Sequence, residues 1–261
     1  ITPNPCIDCN RYLKFDKLYM RAKELDRDYV VTGHYARVEK DGNGRFLLKK
    51  ALDDTKDQSY VLYCLTQEQL SHTIFPLGKM RKSQAREIAE SQGFINARKA
   101  DSQDICFVQN GSYADFIEQY TGKNYPDGDF LDTNGNVIGR HKGVIRYTVG
   151  QRKGLGISAP EPLYVKAVNP VSNTVTLSYN DGLYSSIVKA GDINLISVPE
   201  IKGEMRVKAK VRYRHTEQWA TVTQNGETLT AVFDEPQRAV TCGQALVLYD
   251  GDTVVGGGTI I

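Results

Sequence analysis

The chain has 261 residues, 40% of them hydrophobic and 25% charged, with 33 Lys and Arg against 31 Asp and Glu for a net charge of +2. That is apolar material for about two packed domains, with three small ones allowed, and it excludes wholesale disorder. No run of about 18 apolar residues occurs, so no membrane-spanning helix is expected, and no basic stretch leading into an apolar segment marks a signal peptide.

The chain opens at Ile1, and residues with chemistry follow at once in Thr2-Pro3-Asn4-Pro5-Cys6. A motif so loaded at a free end predicts that the start of the protein precedes these residues. Residues 11–25 read as an amphipathic helix, with Phe15, Leu18, Tyr19, Ala22 and Leu25 at helical spacing. Asp8 or Asn10 can cap it. A short buried strand over 29–32 ends at Gly33-His34, and helix, strand, glycine is the rhythm of a parallel α/β sheet. A second strand is expected over 46–52, and helices over 58–65 and 83–92, the latter with Ser83 as cap and Gly93 as stop. Phe75-Pro-Leu-Gly78 breaks the helical texture. One more helix is expected over 112–120. Beyond it turn signals crowd in: Asp127-Gly128, Asn134-Gly135, Asn225-Gly226 and Asp250-Gly251 sit between short β-rich runs. Strands are expected over 163–168, 174–179, 206–213, 218–223, 228–233, 245–249 and 253–260, which suggests a small β-barrel or sandwich.

Cys6-Ile-Asp-Cys9 is the first constellation. A CxxC loop feeding a helix sets Cys9 at the positive end of the helix, which favours thiolate. No second CxxC completes a zinc site, and Pro3 and Pro5 predict a rigid extended loop unlike a thioredoxin site. Two unrelated thiols remain the bland alternative. Cys106, in Asp101-Ser-Gln-Asp-Ile-Cys-Phe107, falls where the α/β half ends, Cys64 reads as core, and Cys242 has no assigned role. With five cysteines in 261 residues and no leader, the expected compartment is reducing. The near-neutral net charge hides two basic stretches, 140–153 and 202–214. On a strand, Lys208, Lys210, Arg212 and Arg214 would point one way at roughly 6.6 Å spacing, with Val207, Ala209 and Val211 inward, and such a ladder suits a phosphate backbone. Arg152 and Lys153 sit in a glycine-rich loop suited to the same partner; a merely solvated face is the alternative for both stretches.

Taken together these segments resemble the tRNA-specific 2-thiouridylases (the MnmA/TrmU family). The matching stretches are Thr2-Pro-Asn-Pro-Cys-Ile-Asp-Cys-Asn10, Thr32-Gly-His-Tyr-Ala-Arg37, Lys56-Asp-Gln-Ser-Tyr60, Phe75-Pro-Leu-Gly78, Asp101-Ser-Gln-Asp-Ile-Cys-Phe107, Tyr147-Thr-Val-Gly-Gln-Arg-Lys-Gly-Leu-Gly156, Val211-Arg-Tyr-Arg214 and Leu248-Tyr-Asp-Gly251. The resemblance implies an enzyme that replaces O2 of the wobble uridine of tRNA with sulfur, using ATP with Mg2+ and a cysteine persulfide. By it, Cys106 is the persulfide carrier and Cys9 the nucleophile that helps release the sulfur, with a Cys9–Cys106 disulfide between them. Asn4, Pro5 and Cys6 fall on the target-base loop and Gly33 on a nucleotide contact. His34, Lys56, Asp57, Gln58, Arg212, Tyr213 and Gln244 match tRNA contacts. The implied partners are tRNA and a sulfur-donor protein, either a cysteine desulfurase or a persulfide relay, in the cytoplasm and away from membranes.

Two departures stand out. The family's Ser-Gly-Gly-x-Asp-Ser loop, which grips the ATP pyrophosphate, occurs nowhere in these residues, so they are expected to hold tRNA and the sulfur chemistry without most of the ATP site. Cys6 stands where many members carry Asp, and Cys6, Cys9 and Cys106 together would suit a [4Fe–4S] cluster with one open iron. The expected fold is the C-terminal half of a Rossmann-like (adenine nucleotide alpha hydrolase-like) domain over 1–105, a small central α+β domain over 106–161, and a C-terminal β-barrel over 162–261. The rival readings are a tRNA-gripping fragment without catalysis and a CxxC thiol oxidoreductase.

Overall fold

A computed structural model describes residues 2–99, 108 and 112–261. The first helix begins earlier than its apolar spacing suggests. α1 (Pro5–Asp8) runs into a π-wound stretch, Cys9–Lys17, and then α2 (Leu18–Glu24). The cap is Asn4, whose Oδ1 accepts from the Cys6 amide at 3.2 Å. Pro5 takes the first helical position, where a missing N–H costs nothing. Asn10 is buried within the helix and donates from Nδ2 to the Val61 carbonyl at 3.3 Å. The CxxC motif therefore lies in the opening turns of the helix, not in an extended loop before it.

β1 (Val30–Val31) follows, then the antiparallel hairpin of β2 (Ala36–Lys40) and β3 (Phe46–Lys50). α3 (Ser59–Leu62) and α4 (Gln67–Ser71) lead to β4 (Thr73–Ile74), which runs parallel to β1 with Val30 opposite Thr73. Among the described residues this pair is the parallel α/β element of the first region. The strand expected over 46–52 does not join it: β3 pairs with β2 and, at Lys49 opposite Thr253, with the barrel sheet. α5 (Lys82–Ser91) is capped at Arg81 instead of Ser83 and stops before Gly93 at φ +73°. α6 (Tyr113–Thr121) starts on a capping box of Ser112 and Asp115.

β5 (Gly128–Leu131), β6 (Val137–His141), β7 (Tyr164–Asn169) and β8 (Thr174–Ser178) form one sheet in the order β6-β5-β8-β7. This corrects the boundary expected at 161/162, because the strands predicted over 163–168 and 174–179 belong here and not to the barrel. β8 lies parallel to β5, with Phe130 opposite Val175, and the sheet closes its own core around Phe130, Val144, Tyr147, Leu155, Val165 and Leu177. Asp127-Gly128 opens β5 instead of closing a hairpin.

β9 (Tyr184–Leu195), β10 (Glu204–Lys210), β11 (Gln218–Asn225), β12 (Thr228–Arg238), β13 (Ala245–Asp250) and β14 (Thr253–Ile260) are antiparallel neighbours in the order β13-β10-β11-β12-β9-β14. β13 also pairs with β14, so six strands close into a barrel without free edges. Val188, Val207, Ala209, Val222, Leu229 and Leu246 fill it. The barrel's outside carries a second core, in which Ile7, Phe15, Tyr60 and Leu62 from the first region pack with Ala245, Val247, Tyr249 and Val254. The seam is close enough to require glycine at 257, where a Cβ would stand 2.3 Å from the Leu246 carbonyl oxygen and 2.9 Å from the Tyr63 ring. The first region and the barrel thus share a sheet and a core, and are not the separate units expected from 1–105 and 162–261.

Candidate functional site

Three distant stretches meet at the start of α1. The Thr2 amide donates to the Cys242 carbonyl at 2.9 Å, and Gln244 Nε2 donates to the Thr2 carbonyl at 2.9 Å. Gly243, at φ +91°, lets this barrel turn lie flat against the opening residues; a Cβ there would stand 2.9 Å from the Thr2 oxygen. On the other side the Tyr213 hydroxyl donates to the Asp57 carbonyl at 3.0 Å, and its ring lies 5.9 Å from that of Tyr60. Burial pushes the Tyr213 phenol up, with Asp57 and Cys6 adding to the shift, so Cys6 belongs to the same neighbourhood. Cys6 is exposed and Cys9 half-buried. Three residues apart on a helix, they share a face. Of the expected site residues, Gln244 lies against the residues just before Asn4 and shares a cavity lining with it, and Tyr213 joins Asp57.

Several of the expected contact residues spend their polar groups on the scaffold. The Asp57 carboxylate accepts from the Ala51 amide at 3.0 Å and from the Ser59 hydroxyl at 2.6 Å. Gln58 Oε1 accepts from the Tyr35 amide at 2.9 Å. Lys56 closes a 3-10 turn, Asp54–Lys56, and is half-exposed. His34 departs furthest from a surface contact. It is 7% exposed, between Phe15 and Phe75 at 5.7 Å each, with Thr32 Oγ1 2.8 Å from Nδ1 and Lys14 Nζ 3.4 Å from Nε2. Burial, helped by Lys14, pushes its pKa from 6.5 down to about 4, so the ring carries no charge near neutrality.

The cation ladder is shorter than the alternation predicts. β10 ends at Lys210, and its outward side chains are Arg206, Lys208 and Lys210. Arg212, Tyr213 and Arg214 lie in the turn beyond. Arg212 bends back: its Nη2 donates to the Val149 and Ala239 carbonyls at 2.9 and 2.7 Å and to Thr241 Oγ1 at 2.5 Å. It clasps the loop before Gly150 to the barrel, and burial pushes its guanidinium pKa down. Arg214 is exposed. Burial likewise lowers Lys210, whose ammonium stands 5.9 Å from the Tyr60 ring, against the opposing charges of Asp57 and Glu217. In the other basic stretch, Arg140, Lys142 and Arg146 pair with Asp129, Asp127 and the Asp115–Glu118 couple of α6. Arg152 and Lys153 are left exposed beside the clasp.

Gly33 follows β1, at the carboxyl end of the parallel pair, where open α/β sheets receive ligands. A Cβ there would meet Leu77 at an ordinary 3.7 Å, so sterics alone do not demand glycine. Cys64 is core as expected, and burial pushes its thiol up to about 11. Cys106 and its motif lie outside the described residues. Among the described residues no group of three His, Cys, Asp or Glu could hold a metal ion; Cys6 and Cys9 supply two of the three thiols a cluster would need. No described helix is long and apolar enough to cross a membrane.

The sequence reading missed Arg11, Tyr63 and Asp192. The Arg11–Asp192 ion pair, Tyr63, Asn4, Asp8 and Gln244 line a cavity of about 180 Å³ under the opening residues. Arg11 and Asp192 lie 181 residues apart, and no local pattern links them.

Comparison with known proteins matches three family models in chain order: "tRNA methyl transferase HUP domain" over residues 1–110, "tRNA methyl transferase PRC-barrel domain" over 114–179, and "Aminomethyltransferase beta-barrel domain" over 185–260. The last two ranges follow the two sheets. Proteins named tRNA-specific 2-thiouridylase MnmA are similar along the whole chain. The one from Clostridioides difficile (strain 630) is 50% identical over 261 residues, covering 99% of this chain and 72% of its own length. That from Lachnoclostridium phytofermentans is 50% identical, covering 100% and 73%. That from Acidobacterium capsulatum is 49% identical over 271 residues, covering 100% and 72%.

Proposed function

Because the chain belongs to the tRNA-specific 2-thiouridylase family, we propose that it is a tRNA sulfurtransferase that converts the wobble uridine to 2-thiouridine. The observation that carries the thiol part is the docking of the residues that open the Cys6–Cys9 helix onto the barrel turn: the Thr2 amide donates to the Cys242 carbonyl and Gln244 donates to the Thr2 carbonyl, with Cys6 exposed and Cys9 half-buried on one helix face. ATP is consumed as a substrate and supplies the adenylyl group that makes O2 a leaving group; Gly33, at the end of β1, would lie against it, with Mg2+ on its phosphates. We read β1, β4 and the helix before them as part of the nucleotide-binding domain.

The remaining steps balance on the chain's own thiols. A desulfurase or persulfide relay loads sulfur onto Cys106. The terminal persulfide sulfur bonds to C2 of the uracil, and AMP departs with the old O2. The Cys9 thiolate then attacks the Cys106 sulfur. The electron pair of the broken S–S bond stays with the sulfur on C2, giving 2-thiouridine and a Cys9–Cys106 disulfide that a thiol reductant resets. Such resetting suits the cytoplasm. Arg152, Lys153, Lys208 and Arg214 are read as phosphate contacts, and Lys56, Tyr213 and Gln244 as contacts near the base.

The test is genetic. Chromosomal Cys9→Ser and Cys106→Ser substitutions in the source organism should each abolish 2-thiouridine in total tRNA, read by nucleoside mass spectrometry. Near-normal 2-thiouridine in either strain refutes the role given to that cysteine.

A further inference from the structure

Trp219 is the sole tryptophan of the chain, and neither the barrel core nor the thiol site uses it. It stands on the outer face of β11, 48% exposed, while its neighbours Ala220 and Val222 point into the barrel. A large aromatic ring is thus left half in water on the outside of the closed barrel. Its surroundings are cationic. Lys208, directly opposite on β10, holds its ammonium 5.5 Å from the ring centroid, and the Arg206 guanidinium lies 5.1 Å from it. Arg206 is fixed by an ion pair to Asp234 on the far side, whereas Lys208 makes no ion pair among the described residues. Two residues further along β10, Lys210 reaches the Tyr60 ring, which neighbours Tyr213, itself within electrostatic reach of Cys6 in α1. The row therefore runs from Trp219 toward the thiol site on one face.

We propose that Trp219 is a base-stacking platform for a nucleotide of the tRNA other than the target uridine, with Lys208 taking an adjacent phosphate. An exposed indole with flanking cations fits nucleic acid on two counts: every base offers a π-face to stack, and every nucleotide carries an anion for the ammonium. A protein partner would be served as well by the apolar half of the ring, but would not need the Lys208 ammonium beside it. The inference rests on the reading that the chain binds tRNA and adds where a second nucleotide is gripped.

A single tryptophan makes the test direct. A transcript of a tRNA with uridine at the wobble position is titrated into the protein, with binding followed by filter retention and, in parallel, by tryptophan emission. Stacking should quench the emission in step with binding and shield the indole from acrylamide. Trp219→Ala should weaken binding roughly 5- to 150-fold, the range of one lost base stack, while Trp219→Phe keeps most of the affinity. Saturating binding that leaves emission and acrylamide access unchanged, with Trp219→Ala binding like the parent, overturns this inference alone. Failure of the parent protein to bind the transcript overturns the tRNA reading itself. Circular dichroism of Trp219→Ala separates a lost contact from a lost fold.

Discussion

His34 offers the most quantitative check on the structure. Its imidazole is held neutral by burial between Phe15 and Phe75 and by the Lys14 charge, with the pKa lowered from 6.5 to about 4. As pH falls below about 6.5 the unfolded chain gains a proton at this residue that the folded chain refuses until about 4. Stability from His34 is therefore complete above pH 6.5 and is lost through that window. The loss is about 2 kcal/mol by pH 5 and about 3 kcal/mol by pH 4, at about 1.36 kcal/mol per pKa unit. Urea unfolding at pH 7.5 and pH 5 should expose it when wild type is compared with His34→Gln. The difference between the two proteins in their pH sensitivity isolates His34 from His141 and His215, whose pKa values burial also lowers. Equal losses in both proteins would refute the buried, neutral ring. So would a His34-dependent gain in tRNA affinity between pH 7.5 and pH 6, because that requires an imidazolium on a phosphate.

Arg212→Met should cost about 2–3 kcal/mol of stability by stranding the Val149 and Ala239 carbonyls. It should leave the salt slope of tRNA binding unchanged; a slope shallower by about 0.9 would mean that Arg212 meets a phosphate after all. Gly257→Ala should destabilise by about 1–3 kcal/mol in chemical denaturation, since its methyl would collide with backbone and with Tyr63, and a neutral result would mean the seam is looser than described. Alkylation of the native protein at pH 8 should modify Cys6 and Cys242 and spare Cys64 until urea is added; mass-spectrometric detection of early Cys64 adducts would contradict its burial.

What the sequence by itself determined here is local. Apolar spacing located a helix through Phe15 and Tyr19, the Asn-Gly and Asp-Gly pairs at 225–226 and 250–251 marked true hairpins, and the Val207–Ala209 alternation gave the correct inward face. Motif resemblance reached further, to the family. Tertiary structure alone decided the partners. The strands at 164–169 and 174–178 look like barrel strands, yet they pair with each other and, through the second, with β5, because alternation specifies a buried face and not which sheet supplies it. The β2–β3 hairpin likewise went to the barrel. The same limit governed the site. Lys208 and Arg212 are both basic residues of one stripe, but one faces water beside Trp219 and the other is folded onto three oxygens of the scaffold. A charge is written in the sequence; whether it is free for a phosphate depends on acceptors up to 63 residues away that only folding brings within reach.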